Sequence, residues 1–191
     1  MLHHRSPEFS EKVRHVQDEL GRLLQTHNDT LLFTCSGTGM MEAAVANLLS
    51  RGDKAICVNN GMFGERWVDI CRAYGVEAID VAIEWGKSIT PDELANVAAT
   101  HPDAKAVFVI HSETSTGALT PVDEIAKLAR EAGALMLLDT VTSLGGAEVA
   151  VDKMGIDIVY SGTQKCLSCP PGLAPLRIRA AAMGVEVVAQ M

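Results

Sequence analysis

Tyr160-Ser161-Gly162-Thr163-Gln164-Lys165 follows the run Ile156 to Val159 and leads into Cys166-Leu167-Ser168-Cys169-Pro170-Pro171-Gly172. A buried β-run that ends in small polar residues and then a single lysine is unusual, because lysine is rarely buried without a reason. At the mouth of a sheet such a lysine can lose its proton through desolvation and act as an amine nucleophile. A lone lysine is more often a surface residue on a loop. A second stretch, Leu135-Met136-Leu137-Leu138-Asp139, shifts that balance, since it is a four-residue apolar strand that delivers a carboxylate at its end. A Schiff-base lysine together with an aspartate for a pyridinium nitrogen is the pairing that pyridoxal phosphate requires.

The rest of the chain can be read outward from that pair. Ser6-Pro7-Glu8 signals a helix start, and Phe9, Val13, Val16, Leu20, Leu23 and Leu24 recur at helical spacing to about Thr26. Leu31 to Phe33 reads as a short strand. Cys35-Ser36-Gly37-Thr38-Gly39 then turns into a helix from Met40 to Leu49, an arrangement that points backbone N–H groups at an anion. The turn lacks the lysine of a Walker loop, and Glu42 replaces the third glycine of a dinucleotide fingerprint. A tight turn without a ligand, or a nucleotide-binding α/β domain, remain alternative readings of it. Further strands are expected at Ala55–Val58, Val76–Ile83 and Ala106–Ile110, and further helices at 65–74, from Thr90-Pro91-Asp92-Glu93 to Ala99, and from Thr120-Pro121 to Ala132. Strands alternating with helices predict an α/β fold, a mostly parallel sheet flanked by helices on both faces. In such a sheet the Ser36 turn, the loop His111-Ser112-Glu113-Thr114-Ser115-Thr116-Gly117, Asp139 and Lys165 all fall along one edge, where these folds bind ligands.

Composition excludes several classes. The 191 residues carry 16 basic and 24 acidic side chains, and no Lys/Arg stripe points to nucleic acid. No apolar run reaches the length of a membrane span, and no signal-peptide core follows Met1, so a cytoplasmic location is expected. The five cysteines are read as free thiols in a reducing compartment. Cys166 and Cys169 form a CxxC, but two prolines follow directly and no second CxxC completes a zinc site.

Taken together, Ser36-Gly37-Thr38-Gly39-Met40, Asn60-Gly61-Met62-Phe63-Gly64, Glu113-Thr114-Ser115-Thr116-Gly117, Asp139-Thr140-Val141-Thr142-Ser143-Leu144-Gly145-Gly146 and Ser161-Gly162-Thr163-Gln164-Lys165 resemble the class V aminotransferases. The alanine–glyoxylate and serine–glyoxylate group is the nearest likeness, from Phe9 to about Pro175. The resemblance implies the large domain of a fold type I pyridoxal-phosphate enzyme, a homodimer, and transamination between a small amino acid and a 2-oxo acid such as glyoxylate or pyruvate. It implies that Lys165 forms the Schiff base and moves the proton, and that Asp139 pairs with the ring nitrogen. Val141 and Phe63 would cover the two ring faces, and Thr114 would bond the ring hydroxyl. Thr38, Gly39, Met40 and Gln164 would hold the phosphate. A cysteine desulfurase fits less well, since that chemistry prefers a histidine where Phe63 lies.

The chain is shorter than the family's members. The resemblance implies a cofactor domain over residues 1–176 and a remnant of the small domain, a helix–strand piece, over 177–191, with an internal deletion near Leu176 or a shortened chain. The arginine that binds the substrate carboxylate falls in the missing part, which leaves Arg66, Arg72, Arg177 and Arg179 open as stand-ins. A non-catalytic domain that binds pyridoxal phosphate or a partner chain is the alternative. Apolar surface left bare by the missing domain predicts self-association.

Overall fold

In the computed structural model, which describes residues 2–179, helices and strands alternate. The order is α1 (Pro7–Leu23), β1 (Thr30–Phe33), α2 (Gly37–Leu48), β2 (Lys54–Asn59), α3 (Met62–Tyr74), β3 (Glu77–Ala82), α4 (Pro91–Thr100), β4 (Ala104–Ile110), α5 (Val122–Glu131), β5 (Leu135–Asp139), α6 (Val151–Met154), β6 (Ile158–Tyr160) and β7 (Ala174–Ile178). The strands form one sheet in the order β1-β7-β6-β5-β4-β2-β3. β7 runs antiparallel to both of its neighbours, and the remaining pairings are parallel. Six strands therefore point the same way, and the loops that leave β1, β2, β4, β5 and β6 share one edge.

Local chemistry explains the element ends. Ser6 Oγ accepts the Phe9 N–H ahead of Pro7, and Thr90 and Glu93 form a reciprocal capping box. The central strands are near-continuous apolar runs because both of their faces are covered. Val107, Val109, Met136, Leu138 and Val159 pack with Leu94 of α4 and Ile125, Ala126 and Ala129 of α5. Ala106, Phe108, Ile110, Leu137, Ile158 and Tyr160 pack with Met41 and Val45 of α2 and Trp67 and Val68 of α3. The Trp67 indole stacks on Phe108 at 4.2 Å, with the rings nearly parallel at 3°.

Three local expectations change. α1 starts where the sequence places it, yet none of its residues is buried, and Phe9, Val16 and Leu23 are exposed. Its apolar stripe is covered only in part: Val13 and Leu20 are half-buried, and Leu24, just past its end, joins the core. Thr120 does not cap α5: its hydroxyl donates to the Ile110 carbonyl at 2.8 Å and ties the loop back to β4. The third concerns the C-terminal stretch. Arg177 and Ile178 are not part of a helix–strand remnant but lie in β7, inserted between β1 and β6. The reason is the period of two: Ala174, Leu176 and Ile178 join the α2 face of the core, while Arg177 points to the other side. The rest of the proposed remnant, 180–191, lies outside the described residues.

Arg177 is 1% exposed, and its guanidinium is fully engaged. It bonds the Ile156 carbonyl at 2.8 Å, Thr26 Oγ1 at 3.0 Å and the Asp152 carboxylate at 2.5 Å. Arg177→Ala therefore removes the side-chain donor of the Ile156 carbonyl and the counter-charge of Asp152, whose carboxylate keeps only the Thr26 hydroxyl and the His27 N–H. We expect it to lower unfolding free energy by about 3 kcal/mol, read as an earlier urea midpoint.

Candidate active site

Asp139 ends β5 opposite Ile110 of β4 and Tyr160 of β6. It is 4% exposed. Its Oδ1 accepts the Val141 N–H at 2.8 Å and its Oδ2 accepts the Tyr160 hydroxyl at 2.5 Å. Burial outweighs these two bonds, so the carboxyl is pushed up to about 6, with Glu113 adding to the rise and Arg66 opposing it. The Tyr160 hydroxyl is raised well above its ordinary value by burial and by the Asp139 charge.

α2 presents its N-terminus to the same edge. Ser36 caps it by accepting the Gly39 N–H at 3.4 Å, and the Met40 N–H already bonds the Ser36 carbonyl at 3.3 Å. The N–H groups of Gly37 and Thr38 have no partner among the described residues. Val141 lies against this turn, so close that a Cβ at Gly37 would sit 2.7 Å from Val141 Cγ2. The Thr38 hydroxyl accepts from the Arg66 guanidinium at 2.9 Å, and that guanidinium lies 4.8 Å from the centre of the Phe63 ring. Asp139, Val141, Thr38, Gly39, Met40 and Phe63 are thus brought to one region between α2, α3 and the end of β5.

The sequence reading missed how Phe63 is held. Glu113 is fully buried and caps α3: Oε2 accepts from the Phe63 N–H at 3.1 Å and the Gly64 N–H at 3.2 Å. Its Oε1 accepts from the Ser115 N–H at 2.9 Å and the Ser115 hydroxyl at 2.8 Å. Gly61 has to be glycine, because a Cβ there would lie 2.4 Å from Glu113 Cγ. The available signal was that pairing of a glycine opening a helix with a glutamate in a loop expected at the same edge. Glu113→Ala leaves the α3 amides without their acceptor. We expect it to destabilise the fold by about 2 kcal/mol in thermal unfolding and to loosen Phe63.

Lys165 departs from expectation. It is exposed, not buried, and so are Gln164 and Cys166. Thr163 is the last buried residue before the chain turns out over the sheet edge, with the Ser168 N–H bonding the Lys165 carbonyl at 2.8 Å. No described segment covers that turn. The turn is nevertheless docked, since the Cys166 thiol donates to the Thr142 carbonyl at 3.0 Å. The Gln164 amide folds back over Gly162. Thr114 is hydrogen-bonded, hydroxyl to hydroxyl, with Thr142 at the same edge. His111 is outside this group: it follows Val107 and Val109 onto the α4–α5 side, where burial lowers its pKa against the opposing charge of Asp123. All five cysteines are free thiols. Among the described residues no three metal-ligating side chains cluster, and no helix is long and apolar enough to cross a membrane.

A parallel sheet with a buried acid and an open helix N-terminus at one edge is an architecture shared with known enzymes. The model of the aminotransferase class-V family matches residues 1–185, and the chain belongs to that family. An uncharacterized aminotransferase of Methanocaldococcus jannaschii is 43% identical over 178 residues, which cover 93% of this chain and 46% of that protein. The soluble hydrogenase 42 kDa subunit of Anabaena cylindrica is 44% identical over 173 residues, covering 89% of this chain and 45% of that one. Among solved structures, an alanine–glyoxylate aminotransferase from Nostoc sp. superposes with a TM-score of 0.89 at 36% identity, covering 98% of this chain and 52% of that one. The chain thus spans about half the length of the proteins it matches.

Proposed function

We propose that this chain is the cofactor-holding portion of a pyridoxal-phosphate-dependent aminotransferase, moving an amino group between a small amino acid, such as alanine or serine, and a 2-oxo acid, such as glyoxylate or pyruvate. The observation that carries the reading is Asp139: a buried carboxylate at a strand end, on the same sheet edge as the unsatisfied amides of α2. The residues present fit the cofactor. A ring nitrogen needs a fixed negative charge, a phosphate ester needs helix N–H donors, and an aromatic ring needs flat apolar neighbours. Asp139, the Gly37 and Thr38 amides, and Phe63 with Val141 supply these in turn. Met40, whose N–H is already bonded within the helix, is left to contribute by packing beneath the turn. Gly39 shares its N–H with Ser36, and Gln164 and Thr114 supply further polar groups at the rim.

When bound, the cofactor supplies an electrophilic carbon and a ring that delocalises carbanion charge. Lys165 would offer the amine that holds the cofactor and the base for proton transfer. Asp139, largely ionised at neutral pH, would supply the charge that keeps the ring nitrogen protonated, and Tyr160 and the Val141 amide fix the carboxylate's orientation. Likeness to the Nostoc alanine–glyoxylate enzyme supports the glyoxylate group of substrates. A homodimer, a cytoplasmic location and a separate C-terminal domain belong to the same reading.

One observation favours a second reading, a domain that binds the cofactor without turnover. Lys165 is exposed, and the chain spans only about half of its relatives. Adding pyridoxal phosphate to the purified chain separates the two. A visible absorbance band that shifts on adding alanine or serine supports transamination. A band that does not shift supports binding alone, and the absence of a band rejects the cofactor reading.

A further inference from the structure

The four arginines left open by the sequence are separated by the structure. Arg177 is engaged by Asp152, Thr26 and the Ile156 carbonyl, and Arg179 pairs with Asp157. These partners lie where β1 and β6 begin, at the opposite edge of the sheet from Asp139. Arg72 sits in the last turn of α3, roughly 15 Å along the axis from the end that faces the site.

Arg66 differs in each respect. It lies one turn into α3, half-buried, with its guanidinium over Phe63 and one N–H donated to Thr38 at 2.9 Å. Its charge reaches both Asp139 and Tyr160. No carboxylate pairs with it among the described residues, which it shares with Arg72, whereas Arg177 and Arg179 each have one; what sets it apart from Arg72 is its place beside Thr38 and Phe63. A guanidinium partly withdrawn from water, oriented by a ring and a hydroxyl, keeps further N–H donors of its planar fork beyond the one given to Thr38. Such a fork matches two oxygens of one anion.

We propose that Arg66 is the oxyanion anchor of this site, taking a pair of oxygens from a phosphate ester or a small carboxylate delivered between α2 and α3. The inference rests on the proposed function and deepens it, because the two sources are the phosphate of the cofactor and the carboxylate of the amino or 2-oxo acid.

Isothermal titration of the full chain with inorganic phosphate, and separately with pyruvate, tests it without added cofactor. Arg66→Ala is expected to weaken at least one of the two at least tenfold. Arg66→Lys is expected to give an intermediate loss, since an ammonium keeps the charge but not the fork. Loss of phosphate binding alone identifies the phosphate ester as the source, and loss of pyruvate binding alone identifies the carboxylate. Both affinities unchanged within twofold in Arg66→Ala overturns the proposal, as does a wild-type chain that binds neither anion. Should Arg66→Ala unfold, Arg66→Lys decides, and unchanged affinities there overturn it. Neither titration uses the Lys165 amine. Anion binding through Arg66 without a visible band on adding pyridoxal phosphate therefore sinks only the proposed function. A band with Arg66-independent anion binding sinks only this inference.

Discussion

Lys165→Ala is expected to abolish the visible absorbance that the proposed function predicts for the chain with pyridoxal phosphate. The expectation follows from where the other amines lie. Lys54 pairs with Asp103 and Lys105 with Asp53, both at the ends where β2 and β4 begin. Lys87 and Lys127 bond glutamates on their own segments, Lys12 is on α1, and Lys153 is on α6. Lys165 is the amine carried on the turn that leaves β6 beside the Asp139 strand. Borohydride reduction followed by peptide mass spectrometry checks the assignment directly: the label belongs on Lys165. A variant that keeps the full band, or a label spread over the surface lysines, rejects it. Since Lys165 is exposed, the unreduced band is also expected to fade on dialysis.

Asp139→Asn produces the second large effect, with opposite signs on binding and on stability. The carboxyl is pushed up to about 6 in the folded chain, against 3.8 for an ordinary aspartate. The folded state therefore holds this proton more tightly than the unfolded chain does. Its contribution to stability is fully present below about pH 4 and is lost as pH rises through 6. Above that, the buried charge costs the fold about 3 kcal/mol relative to its acid form. Asparagine is never charged and keeps one oxygen to accept from Tyr160, at the cost of the Val141 N–H bond. The variant should melt higher than wild type at pH 7.5, and the gap should close toward pH 4. At the same time it loses the charge proposed to pair with a ring nitrogen, so binding of pyridoxal phosphate should fall by at least tenfold. Melting curves at the two pH values check the first claim, and absorbance titration checks the second. A variant less stable than wild type at pH 7.5 would show that the bonds to Tyr160 and Val141 outweigh the burial.

The centre of the fold was legible because its strands are unambiguous. Ala106 to Ile110 and Met136 to Leu138 are buried on both faces and read as continuous apolar runs, and the Thr90 capping box has its full sequence signature. Once these strands were taken as parallel, the shared edge of Ser36, Glu113, Asp139 and Lys165 followed. β7 was not legible for the opposite reason. Pro175 and Arg177 look foreign to an interior strand, and the partner strand β1 is remote in sequence. Glu113 looked like one polar residue among several, because a cap supplied from a loop about 50 residues away leaves no local pattern. The exposure of Lys165 could not be read from its neighbours, since it depends on what covers the turn after Thr163.

β1 has a single strand partner among the described residues, β7, with Phe33 opposite Ala174. During synthesis, the amino-terminal strand must therefore wait on the order of 140 residues for its mate, a loop closure that favours late docking. At ribosomal speeds that wait lasts on the order of ten seconds. Throughout it Leu31 and Phe33, which remain exposed even in the finished sheet, present a sticky ribbon to whatever passes. A ribosome stalled before the codon for Ala174 should display β1 unpaired to a protease that the folded chain resists.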